Sequence, residues 1–159
     1  MDGISFFIDM EDVPTSTAQE KGFRVVGKHV MVFDKPKTKQ AKEILAWELK
    51  RFVPSEPFKG PIRLTAYWYF KNYTINKKNG KRIKARPAGY RITRPDTDNL
   101  NKGLKDVMTK CGFWEDDAQV CEELIGKYWS ERPGIFITVE KLDGIPVELT
   151  KTIENQTKG

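Results

Sequence analysis

Four carboxylates and one lysine carry the chemistry open to this sequence. They are Asp96 and Asp98 in the run Asp96-Thr97-Asp98-Asn99, Lys102 four residues after Asp98, and the pair Asp116-Asp117 that follows Glu115. Two or three aspartates suit a hard divalent cation, because Mg²⁺ prefers oxygen ligands, takes few from the protein and keeps several waters. The opposite charge lies directly upstream. Residues 57–95 contain eleven Lys and Arg and no Asp or Glu, whereas residues 96–123 hold eight acids against three lysines. Removing those eleven cations from the formal net charge of +6 leaves the rest of the chain at −5, so the basic character belongs to one region. A block that attracts polyanions, abutting carboxylates able to hold Mg²⁺, points to hydrolysis of nucleic-acid phosphates.

Each of these groups also has a purely structural use. Asp98, just ahead of a helical pattern, is a natural N-cap for the exposed amides of the first turn. Asp116 and Asp117 read equally as a charged turn guarding a strand edge. Lys102 has Asp98 and Asp106 at i−4 and i+4, and a bridge between them would be worth a few tenths of a kcal/mol. Contact with a scissile phosphate, where negative charge develops in the transition state, would matter far more. The sequence leaves both roles open.

Several elements must position these groups. Alternation of apolar residues predicts strands over 4–9 and 62–70 and a hairpin over 24–33 around Gly27-Lys28, with Val13-Pro14-Thr15-Ser16-Thr17 leaving the first strand. A 3.6-residue period predicts a helix over 37–52 that packs Ile44, Leu45 and Leu49 on the sheet, stopped by Pro54. A second helix over 99–111 has the stripe Leu100, Leu104, Val107, Met108 and Cys111 and ends at Gly112. With that stripe on the core side, Asp98 and Lys102 share the outer face. Strands over 119–129 and 135–140 read as a terminal hairpin turning near Arg132-Pro133-Gly134. Residues 72–89 break every period while carrying Lys77, Lys78, Lys81, Arg82, Lys84 and Arg86, which fits a hairpin tip, a mobile loop that orders on a phosphate backbone, or a merely solvated loop. The order of elements predicts a single α+β domain, a mixed sheet with packed helices, over residues 1–142, followed by a polar tail over 143–159.

Other chemistries find little support. The one histidine, His29, stands in a strand-like context and reads as structural, which leaves no histidine cluster and no Ser-His-Asp relay. Cys111 and Cys121 have no zinc spacing and read as reduced thiols. Neither GxxxxGK[ST] nor GxGxxG occurs, so no nucleotide cofactor is expected. No apolar run approaches the roughly 20 residues of a membrane span and the start lacks a basic leader segment, which predicts a cytoplasmic protein with no membrane partner.

The compound signature of residues 94–127 resembles the RusA-type Holliday-junction resolvases, small magnesium-dependent endodeoxyribonucleases often carried by prophages. It comprises Arg94-Pro95-Asp96-Thr97-Asp98-Asn99-Leu100-Asn101-Lys102, then Gly112-Phe113-Trp114-Glu115-Asp116-Asp117-Ala118-Gln119-Val120, and ends near Lys127. The resemblance implies an acidic cluster of Asp96, Asp98 and Asp117, with Asp116 beside it as a further candidate ligand, holding Mg²⁺ or Mn²⁺ in its place. It implies a catalytic role for Lys102 and contact with the DNA backbone at Lys127. It further implies a homodimer that nicks a four-way junction symmetrically in DNA recombination and repair. Where family members often carry a basic cluster after the first strand, Thr15-Ser16-Thr17-Ala18-Gln19-Glu20 is nearly neutral. The cations at 77, 78, 81, 82, 84 and 86, with Arg94, are then expected to grip the DNA. Two rival readings remain: a non-catalytic nucleic-acid-binding module stacking bases on Tyr67, Trp68, Tyr69 or Tyr73, and a metal-dependent nuclease acting on flaps or RNA.

Overall fold

A computed structural model describes residues 2–15, 21–34 and 36–158. Residues 16–20, assigned above to the near-neutral loop after the first strand, lie outside the described residues. The strongest strand organises the rest. In β4 (Ile62–Lys71) Ile62, Leu64, Ala66, Trp68 and Phe70 are buried, alternating with half-buried residues on the other face. A strand this apolar must satisfy both edges with backbone bonds. It takes the centre of a mixed sheet of order β1-β9-β4-β8-β7, built with β1 (Gly3–Asp9), β7 (Gly89–Tyr90), β8 (Val120–Ser130) and β9 (Gly134–Lys141).

β8 runs parallel to β4 and β9 antiparallel to it, so the expected terminal hairpin of β8 and β9 does not form. β4 lies between them. The gap to be crossed is two strand spacings, about 10 Å, and the three linking residues 131–133 span that distance when extended.

Two helices cover one face of the sheet. In α1 (Pro36–Leu49) the buried stripe is Thr38, Ala41, Leu45 and Leu49; Ile44 is 41% exposed, because it stands about 100° round the helix from Leu45. In α2 (Thr97–Cys111) Leu100, Leu104, Val107 and Met108 enter the same core as Phe113, Trp114, Ile135 and Ile137. Gly112 closes α2 in the left-handed conformation that glycine adopts without strain, its amide donating to the carbonyls of Met108 and Thr109. No described element covers the opposite face, where Phe7, Tyr67, Tyr69, Tyr128 and Phe136 pack on one another.

Two hairpins stand off the main sheet. β2 (Lys21–Val26) and β3 (His29–Asp34) pair only with each other among the described residues, leaving Phe23 71% and Val25 70% exposed. β5 (Tyr73–Ile75) and β6 (Arg82–Lys84) form the second, so the basic stretch folds as a hairpin. Beyond Asp143, the segment expected as a polar tail carries a third helix, α3 (Val147–Thr157), with Leu149 and Ile153 exposed one turn apart. No helix among the described residues is long and apolar enough to cross a membrane.

Candidate active site

The chain enters α2 through a turn held by side chains. Residues 91–95 belong to no regular element, yet each carbonyl from Thr93 to Pro95 accepts a hydrogen bond from a cation. Lys127 Nζ donates to the carbonyl oxygens of Thr93 and Pro95, both at 2.7 Å. Arg91 donates through Nε to Thr93 Oγ1 at 3.1 Å and through Nη2 to the Arg94 carbonyl. Its guanidinium carbon lies 4.2 Å from the Phe70 ring centroid and 4.5 Å from that of Trp129. Burial, reinforced by the nearby charge of Arg86, pushes the Arg91 pKa below its ordinary value. Arg91 and Lys127 are also joined through the backbone, Arg91 N to Lys127 O at 3.0 Å.

Asp96 follows this turn directly. The helix starts two residues earlier than its apolar stripe suggested, so Asp96 occupies the N-cap position and Asp98 lies inside the first turn. The Asp96 carbonyl accepts the first helical hydrogen bond, from Leu100 N at 3.2 Å, while the side chain makes no cap bond. Asp98 still benefits from the positive end of the helix dipole. Both carboxylates are exposed and have no hydrogen bond or ion pair among the described residues.

The same holds for Lys102. Its proposed bridge to Asp106 is absent, and the Asp106 carboxylate lies 3.6 Å from Lys42 of α1 instead. Next to it, Asn101 is 3% exposed and donates to Glu123 Oε2 of β8 at 2.5 Å, and Lys105 donates to the other oxygen of Glu123. These bonds fix how helix and strand run. Lys127 reaches the turn ahead of α2 and Glu123 its second and third turns, so β8 and α2 are antiparallel.

By that register the short 3₁₀ turn Asp117–Gln119, which touches α2, lies toward the helix's second half. Asp116 is spent on this turn: its Oδ1 accepts from Ala118 N at 2.8 Å, and Gln119 Oε1 accepts from Asp116 N at 3.0 Å in return. Asp117 is exposed and unpartnered. The structure thus places Asp96, Asp98 and Lys102 together at the start of α2 and Asp117 on the 3₁₀ turn that touches this helix. Among the described residues no three Asp, Glu, His or Cys side chains converge closely enough to hold a metal ion.

The basic hairpin flanks the turn. Its root is the Asn72 carbonyl, which accepts from Ala85 N at 2.8 Å and Arg86 N at 3.1 Å; its tip closes on Gly80, whose φ of 68° favours glycine. Arg82 stacks on Tyr73 at 4.1 Å and donates to the Glu131 carbonyl, and Arg86 stacks on Trp129 at 4.1 Å. Lys77, Lys78, Lys81 and Lys84 are exposed, with their ammonium groups unpaired among the described residues. The Arg94 side chain is likewise exposed and unpaired. Trp68 and Tyr73 are buried and Tyr67 and Tyr69 half-buried, so these aromatics belong to the core and its rim.

As a donor set the start of α2 fits a hard cation. It offers two unpaired carboxylates and, beside them, the buried Asn99 Oδ1, which has no hydrogen-bond partner. Mg²⁺ needs no more than one or two carboxylates where a substrate phosphate completes its sphere. The thiols offer no competing site: both cysteines are free, and burial raises the Cys111 pKa.

Comparison with known proteins fixes the family. The sequence profile of the endodeoxyribonuclease RusA family matches residues 12–140. The chain belongs to the RusA family. By that membership it is an endodeoxyribonuclease, a hydrolase of DNA phosphodiester bonds. A RusA-family relative from Lactococcus phage r1t, a crossover junction endodeoxyribonuclease, is 31% identical over 117 residues, 72% of this chain and 80% of its own length. The uncharacterized protein YqaN of Bacillus subtilis is 30% identical over 146 residues, 89% of this chain and 99% of its own. The crossover junction endodeoxyribonuclease RusA of Escherichia coli K12 is 53% identical over 34 residues only, 21% of this chain and 28% of its own. The match to the RusA family includes the basic hairpin and all of the site, and it stops before α3. Sequence reasoning missed Arg91, Asn101 and Glu123 as parts of this site. Asn101 carried a signal, being a polar residue next to the apolar stripe of α2; the other two act through contacts that no local pattern encodes.

Proposed function

We propose that this RusA-family endonuclease resolves four-way DNA junctions by paired, metal-assisted hydrolysis of one phosphodiester in each of two strands. The observation that carries the reading is the set of charges left unpaired at the start of α2, Asp96, Asp98 and Lys102, beside a folded hairpin whose cations face solvent. A folded protein leaves charges exposed and unmatched at small cost, but two carboxylates and a lysine left unpaired around one helix end make a candidate site for a ligand. Asp96 and Asp98 would hold the cation, with Asp117 as the further carboxylate of the set. A bound Mg²⁺, or Mn²⁺ in its place, supplies Lewis-acid stabilisation of the phosphoryl oxygens and an activated water. Lys102, with no competing partner, offsets charge on a non-bridging oxygen as the transition state forms. Asp116 shapes the turn as its cap. Lys77, Lys78, Lys81 and Lys84 at the hairpin, with Arg82, Arg86 and Arg94, bind phosphates by releasing counterions. A junction has a two-fold axis, so a homodimer presents one such site to each scissile strand.

The test is a synthetic four-way junction incubated with the protein, with and without Mg²⁺, beside a linear duplex, a flap and an RNA hairpin. Symmetric nicks confined to the junction and dependent on Mg²⁺ are expected, and Asp98→Asn should bind the junction without cutting it. Binding with no cleavage by the wild type at any metal concentration would leave a non-catalytic module, and preferential cutting of flap or RNA would reassign the substrate.

A further inference from the structure

We propose that Lys127, together with Arg91, is a positioning residue that fixes the Asp96 carboxylate for its cation, and is not a DNA-binding lysine. The inference rests on the reading of Asp96 as a ligand.

The side chain of Lys127 stands on the helix-covered face of the sheet, in register with the buried Trp68, and is itself half-buried. A lysine that grips phosphate presents its ammonium to solvent, as the hairpin lysines do. This ammonium turns under the chain, where two of its three donors meet the carbonyls of Thr93 and Pro95. Arg91 takes the carbonyl between them and the Thr93 hydroxyl, and is itself fixed by stacking on two aromatic rings. Three successive carbonyls immediately before Asp96 are therefore tied to cations rooted in β8 and in the aromatic edge of the core.

That arrangement has a reason in the geometry of a metal site. Asp96 sits on the last extended residue before a helix, where small changes in the preceding peptide planes swing the carboxylate. The ladder bonds that hold a residue inside a strand are missing here, and the two cations replace them. Groups that orient metal ligands from behind usually matter about ten- to a hundredfold in metal affinity.

Three variants separate the possibilities: Lys127→Met, Lys127→Arg and Asp96→Asn. Each is titrated with Mn²⁺ alone, following free Mn²⁺ by electron paramagnetic resonance, and with a junction in EDTA at several salt concentrations. Lys127→Met should weaken Mn²⁺ binding about ten- to a hundredfold while junction affinity and its salt slope stay as in the wild type. Lys127→Arg, which keeps donors for both carbonyls, should recover most of the loss. A Lys127→Met protein with normal Mn²⁺ affinity and a salt slope reduced by about one would overturn the proposal and make Lys127 a phosphate contact. One measurement needs no variant: the Lys127 ammonium resonance of the wild type should stay in place when metal-free junction is added, and a shift on DNA binding would count against the proposal. Asp96→Asn tells the two ideas apart. Weakened Mn²⁺ binding in Asp96→Asn beside normal binding in Lys127→Met refutes the positioning role alone, whereas normal binding in Asp96→Asn refutes the metal site with it.

Discussion

The turn at 91–95 and the helix start that follows it treat charge in opposite ways. At the turn, Arg91 and, from β8, Lys127 are committed to named oxygens, so that every carbonyl from Thr93 to Pro95 has its donor, and Arg94 is the cation there left unpaired among the described residues. From Asp96 onward, Asp96, Asp98 and Lys102 make no such contact among the described residues, although Asn101, Lys105 and Asp106, interleaved with them, are all partnered. Local chemistry does not explain the difference, since lysines and aspartates occur in both sets. Partnered charges here build the scaffold, and on the function proposed above the unpartnered ones are kept for a ligand. The two sets should therefore fail differently when mutated.

The largest effect belongs to the free carboxylates. Asp98→Asn and Asp96→Asn should lower junction cleavage at least about a thousandfold, the scale of removing a metal's Lewis acidity, with the unfolding temperature and metal-free junction binding unchanged. A fall in stability would move these residues to the structural set. Lys102→Gln comes next, with a fall in kcat of about a hundredfold and no change in KM, the pattern of a group felt only in the transition state. In the hairpin, Lys77→Gln with Lys78→Gln should flatten the salt dependence of junction binding by about two in logarithmic slope, with no change in thermal stability; an unchanged slope would remove the tip from the DNA path.

Among the partnered charges the readout becomes stability. Glu123→Ala strips the buried Asn101 side chain of its hydrogen bond and Lys105 of its ion pair, and should cost about 2 kcal/mol, seen as a lower unfolding temperature. The smallest effect is a pH effect. Arg132 donates to both Asp9 oxygens, at 3.0 and 3.2 Å, and this bonding lowers the Asp9 pKa below its ordinary 3.8. A depressed carboxylate stabilises the fold above its unfolded value, and the contribution disappears as pH falls through the folded value. Asp9→Asn should therefore narrow the stability gap to wild type only below about pH 4, in acid unfolding curves. A difference that grew toward acid would reverse the sign assigned to the pair.

Legibility in the sequence followed the range of the interactions involved. The strand at 62–70 and the helix ending at Gly112 depend on neighbours a few residues away, and period and glycine position placed them closely, whereas the hairpin over the basic stretch was one of three readings left open there. The grouping of Asp96, Asp98 and Lys102 was legible for the same reason, since one helix carries all three. Pairing partners were not. That β9 pairs with β4 instead of folding back on β8 depends on which strand most needs two neighbours, a property of the assembled sheet. Asp98 was the expected cap of the second helix, and the extended conformation of residue 96 makes Asp96 the N-cap instead. The employment of Lys127 beneath the turn reflects a contact across more than thirty residues, while its sequence context is that of any strand lysine. In the segment after residue 143, polar composition outweighed the four-residue spacing of Ile145, Leu149 and Ile153 that marks a helix.

Trp129 is common to both regions. Arg86, at the base of the hairpin, and Arg91, at the base of the turn, rest on this one indole. Removing that ring would deprive two guanidinium groups of their platform at once.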